Sequence, residues 1–149
     1  MSASHAHSRP PGGPHFAVEV LDIEALRERA GYDEPFVVEL LEDFLCRGVS
    51  MQEVHAAAES RNLEALGRLA HRLKGSLLSL GAASAASAAG DVEVRAATLA
   101  IAADSNDSRG LAALSVALDV LGERFDAACD AMRCVMDDAT SVTHLVSPR

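Results

Sequence analysis

Between Leu111 and Val135, apolar residues return at intervals of three and four: Leu111, Leu114, Leu118, Leu121, Phe125, Ala128, Met132 and Val135. That spacing holds one stripe on one side of an α-helix for about seven turns. Such a helix draws its stability from laying the stripe against neighbours, so the stripe is core rather than a cofactor box. Residues 63–80 repeat the rule with Leu63, Leu66, Ala70, Leu73, Leu77 and Leu80, and Asn62 stands ready as the N-cap.

The rest of the chain agrees. Hydrophobic residues make up 49% of it but aromatics only 3%, so the apolar content is Leu, Val and Ala, which favours helices over strands. "LDIEALRERAG" offers Asp22 as N-cap and Gly31 as stop. A long helix is expected from about Asp33 to the "SRN" break, with Pro35 in its first turn and Gly48 tolerated within it. Continuous winding puts His55 on the side of Val37, Leu41 and Phe44, as a half-buried histidine. An Ala/Ser-rich helix over about 83–102 precedes a break at "ADSNDS". Short connections make antiparallel neighbours. The expected fold is all-α: an antiparallel up-down four-helix bundle with a short extra N-terminal helix, spanning residues 19–137 between polar tails 1–18 and 138–149.

Several functions are disfavoured. A net charge of −9 argues against a partner held by its phosphate backbone, so no nucleic acid is expected. Cys46, Cys129 and Cys134 are odd in number and lack metal-ligand spacing, which reads as free thiols in a reducing cytoplasm. No run is long and apolar enough for a membrane span, and "MSASHAHSRPPGGPH" has no signal-peptide core. His5, His7 and His15 sit in that segment without a scaffold to fix metal geometry, so a solvated tail is the expectation.

The chemistry gathers in "AHRLKGSLLSLGA", residues 70–82. At about 100° per residue, His71 points roughly 130° from the centre of its helix's apolar stripe and therefore faces solvent. Gly67, Lys74, Gly75 and Leu78 fall within about 60° of it on the same face. A neutral imidazole is a competent nucleophile near its unperturbed pKa of about 6.5. Taking a phosphoryl group would bring negative charge, which Lys74 can offset. Gly75 costs roughly 0.5–1 kcal/mol in a helix, and bare backbone there leaves room for a partner's active site. Exposed Leu78 would pack against that partner. With no Gly-rich phosphate loop in the sequence, the phosphoryl group has to come from another protein.

At His71, Lys74, Gly75, Ser76, Leu80, Gly81 and Ala82 the sequence resembles the histidine-containing phosphotransfer (HPt) domains of two-component phosphorelays. The resemblance covers roughly residues 19–137. Leu77 departs from it, standing where a second small residue is common. The resemblance implies that His71 is phosphorylated, that Lys74 is the phosphate-side cation and that Gly75 gives access. It implies docking at Gly67, Arg68 and Leu78. Partners would be receiver domains of response regulators and of hybrid sensor histidine kinases. The protein would have no cofactor of its own, Mg2+ residing in the partner receiver, and would be a cytoplasmic monomer. The expected function is that of a stand-alone carrier, accepting from one receiver aspartate and delivering to another. A phosphorylation-independent helical adaptor is the alternative, and the phospho-accepting domain of a chemotaxis-type kinase a third reading.

Overall fold

The computed structural model describes residues 20–102 and 107–145, with side chains to residue 142. The expected tail 1–18, with its three histidines, lies outside the described residues, as do 103–106 at the "ADSNDS" break. Among the described residues the helices follow one another as α1 (Ile23–Arg29), α2 (Glu34–Arg47), α3 (Met51–Glu59), α4 (Leu63–Ser79), α5 (Ala83–Ile101) and α6 (Ser108–Leu145), with no strand. Three starts fall where the sequence places them. The carboxylate of Asp22 accepts from the Ala25 N–H at 3.0 Å, that of Asp33 from Phe36 at 3.1 Å, and the Asn62 side-chain oxygen from Ala65 at 3.1 Å.

The long second helix is corrected to two shorter ones. α2 stops at Arg47, and Gly48 turns extended (φ −66°, ψ 169°), in a position where a Cβ would overlap the Phe44 carbonyl. Ser50 then starts α3 with a capping box: its hydroxyl accepts from the Glu53 N–H, and the Glu53 carboxylate accepts from the Ser50 N–H at 2.9 Å. The interruption resets the winding. Val54 and Ala57 turn into the core, and His55 is exposed rather than half-buried.

The last helix also differs from expectation, running to Leu145 instead of ending at 137. Two of its hydroxyls bond back to the preceding turn: that of Thr140 donates to the Met136 carbonyl and that of Ser141 to the Asp137 carbonyl, both at 2.9 Å. Positions 137, 138 and 140–142 are exposed, so this extension adds little to the core.

α4 packs on α3 and, most extensively, on α5, while α6 packs on α2, α3 and α5. Leu41, Leu66, Leu73, Leu77, Leu121 and Met132 are fully buried, and no polar or charged side chain is buried among the described residues. Leu77 is therefore core, as its place on the stripe requires. α5 contributes mostly small groups, with Ala85, Ala86, Ala88, Ala89 and Ala96 all buried beside Val92 and Leu99, so neighbouring backbones can approach closely.

The α4–α5 hairpin turns at Gly81, whose φ of +85° is open to glycine at little cost. A Cβ there would lie 2.7 Å from the Asp22 carbonyl oxygen, and the Asp22 N–H donates to the Gly81 carbonyl at 2.9 Å. The same glycine thus closes the hairpin and holds the start of α1.

Candidate functional site

The site lies on the outer face of α4, opposite the buried row of Leu66, Ala70, Leu73 and Leu77. Burial of that row fixes the roll of the helix, and His71 is turned outward with its side chain 67% exposed. Gly67 stands one turn before it and Gly75 one turn after. A Cβ on either would meet nothing within 4 Å. Neither glycine is required by internal packing, unlike Gly81, so the imidazole stands on a helix face stripped of side chains above and below.

The tight hairpin brings a second helix to this face. About a turn centred near residue 81, position 71 falls opposite about 91 and position 74 opposite about 88, so the middle of α5 flanks the histidine. Glu93 of α5 contacts both predicted groups. Its Oε1 lies 2.7 Å from His71 Nδ1, and its Oε2 accepts from Lys74 Nζ at 2.6 Å. Lys74 reaches it over Gly90, where a Cβ would sit 3.4 Å from Lys74 Cδ. Lys74 and Glu93 are half-buried, at 34% and 26% side-chain exposure.

The Lys74 hydrogen bond holds the Glu93 carboxyl below its ordinary value, and the His71 bond adds to this, against partial burial that pushes the other way. Glu93 is thus a carboxylate at neutral pH and can only accept. The proton in its bond to the ring therefore belongs to Nδ1, and in the neutral ring the lone pair is on Nε2. With one ring nitrogen fixed as a donor, the other is the one able to act as a nucleophile in the neutral ring.

Of the predicted docking residues, Gly67 and Arg68 line a groove of about 570 Å³ between α4 and α5 together with His71, Glu93, Ala97 and Ile101. Its floor is largely apolar, and Ile101 is exposed at its far end. Arg68 is paired with Glu64 one turn back. Leu78 is exposed as expected but stands outside this groove, two turns beyond His71. Sequence reasoning missed Glu93, Ala97 and Ile101. The hairpin register could have pointed to Glu93, as an acid near the level of His71 on the next helix.

Other reactive groups lie elsewhere. Burial pushes the Cys129 thiol up to about 11, while Cys46 and Cys134 are exposed and free. No group of His, Cys, Asp and Glu suited to a metal occurs among the described residues, and no described helix is long and apolar enough to cross a membrane.

The described residues form a helical bundle that presents an exposed imidazole beside a shallow groove between α4 and α5. Residues 36–133 match the family model of the Hpt domain, which is well over half of the chain, and the chain belongs to that family. Comparisons with curated proteins and with solved structures returned no match. Membership places the protein in phosphorelay histidine phosphotransfer, a process in which Hpt domains interact with receiver domains.

Proposed function

We propose that His71 is the phosphoryl acceptor and that the protein carries the group between aspartates of two receiver domains. The observation that supports this most directly is the Nδ1–Glu93 hydrogen bond on an exposed ring, which leaves Nε2 as an outward-facing nucleophile. The Nε2 lone pair attacks the phosphorus of a receiver acyl phosphate, and the bond to the aspartate oxygen breaks. Lys74, one turn from the ring, supplies a cation for the incoming charge. Gly67 and Gly75 admit the receiver's active site, and the α4–α5 groove takes a helix or loop of the same partner. Mg2+ for the acyl-phosphate chemistry resides in the receiver.

The test is to incubate the protein with phosphorylated receiver domains and follow the label. His71→Gln should fold with unchanged helicity, because an exposed side chain contributes little to the core, and should accept none. The label on the wild type should be lost in mild acid and kept in alkali, as a P–N bond requires. Phosphoserine at Ser76 or Ser79 would survive acid, and an acyl phosphate at Glu64 would be destroyed by alkali. Label on His71→Gln at the wild-type level refutes the assignment. A helical adaptor acting without chemistry would bind receivers equally well with either protein and take no label.

A further inference from the structure

We propose that the outer face of α5, with the start of α6 beside it, joins two copies of this chain about a two-fold axis near Val94. The inference goes beyond the phosphoryl reading and does not depend on His71. It departs from the monomer that the family resemblance implies.

Asp91, Val94, Arg95 and Thr98 follow one another at intervals that keep them on one side of α5. All four are exposed, Val94 at 64%. On the helix wheel this side is turned roughly 110° from that of Glu93, Ala97 and Ile101, which faces the His71 groove. Arg124 donates to the Ser84 carbonyl at 3.2 Å, and a Cβ on Gly110 would press on Leu99. These contacts lay α6 antiparallel to α5, with Val94 level with about residue 115. Val116, 63% exposed, thus lies at the level of Val94. A mostly apolar groove of about 300 Å³ runs between the two helices, with Val94 and Thr98 on one wall and Ala113 on the other.

Charge selects the occupant. A net charge of −9 sets most of the surface of one copy against that of another. On this side of α5 the charges of Asp91 and Arg95 cancel. Asp43 and Arg47, like Glu64 and Arg68, are also an acid and a base four apart, and both of those pairs close along their helices. Asp91 and Arg95 share the spacing and the order, yet form no ion pair or side-chain hydrogen bond among the described residues. Asp107, at the end of the groove, is engaged in capping α6, where it accepts from the Arg109 and Gly110 N–H groups at 3.1 Å. If α5 packs antiparallel to its copy with the axis near residue 93, Asp91 of each chain stands level with Arg95 of the other. Two ion pairs close, and the two Val94 side chains meet on one flank of the contact. The 19 residues of α5 span about 28 Å and two helices about 20 Å across, so the face offers roughly 560 Å² per copy. The total of roughly 1,100 Å² clears the roughly 1,000 Å² expected of a stable contact.

Sedimentation equilibrium of the full chain, from about 1 to about 500 µM, tests this. The wild type should pass from 15.6 kDa to twice that mass as its concentration rises. Val94→Lys, Asp91→Arg and Arg95→Glu should each weaken association by about tenfold or more. Their circular dichroism should be unchanged, because the positions are exposed. Asp91→Arg removes negative charge from an acidic protein, so weaker association in that variant has a cause other than general repulsion. Combining Asp91→Arg with Arg95→Glu reverses both ion pairs and should restore association to within about threefold of the wild type. Phosphoryl transfer by Val94→Lys should equal that of the wild type, since the face is turned away from His71. A wild type that stays at 15.6 kDa throughout overturns the proposal. So does a dimer that the three single variants leave intact, which would place the contact elsewhere, and so does a double variant no tighter than the singles. A monomeric wild type whose transfer falls in Val94→Lys would assign the face to the receiver instead, and overturns it equally.

Discussion

Replacing Gly75 should make the protein more stable and less active at once. An added Cβ at this position meets nothing within 4 Å, so no packing term opposes the change. What remains is helix propensity, which favours Ala over Gly by roughly 0.8–1.0 kcal/mol in an exposed helix interior and Gln by slightly less. For a domain of this size that corresponds to a rise of about 2–4 °C in melting temperature, measurable by circular dichroism. Gly67→Ala should give a similar gain, since its surroundings are equally open. Gly81→Ala should have the opposite sign, because its φ is +85° and its Cβ would collide with the Asp22 carbonyl. Function separates the first two from simple stabilisation. A Gln side chain one turn from His71 crowds the approach to Nε2, and misplacing the reacting groups by about 1 Å can cost about 100-fold in rate. Gly75→Gln should therefore slow transfer from a phosphorylated receiver by about 10- to 100-fold while its melting temperature rises. A lower melting temperature would show that the space beside His71 is not open. An unchanged transfer rate would show that the bare backbone is not there for a partner.

Two further outcomes follow from the Glu93 contacts. Lys74→Ala should reduce transfer by about tenfold, or roughly 1.4 kcal/mol, rather than abolish it, because the cation is half-exposed and already shared with Glu93 while the nucleophile remains; a loss as complete as that of His71→Gln would make Lys74 indispensable. The depressed pKa of Glu93 gives stability that is fully present above its ordinary value of about 4.5 and is lost as the pH falls through the lowered value. Chemical denaturation of Glu93→Gln against pH should consequently show a shallower acid limb than the wild type, and identical limbs would argue that Glu93 is not bound to Lys74 and His71 in solution.

The sequence by itself determined whatever depends on one helix at a time. The stripes at 63–80 and 111–135 define which side of α4 and α6 is buried, and His71 is outward because the stripe beneath it is inward. Asp22, Asp33 and Asn62 are legible as caps because a cap is a bond between residues three apart. The grouping of His71, Lys74 and Gly75 is legible for the same reason, since all lie within about one turn of each other. Tertiary structure decided what depends on a second segment. The break at Gly48 is written in "SMQE" as a capping box, but an unbroken apolar pattern outweighed it, and the error carried His55 to the wrong side. Folding resolved the conflict because two capped helices can each turn their apolar residues inward, with Val54 replacing His55 at the core. Glu93 is the larger gain from three dimensions. It is 22 residues from His71, and the tight Gly81 turn and small buried side chains of α5 bring it within 2.7 Å of the ring. A single helix presents the imidazole; its neighbour supplies the carboxylate that contacts Nδ1.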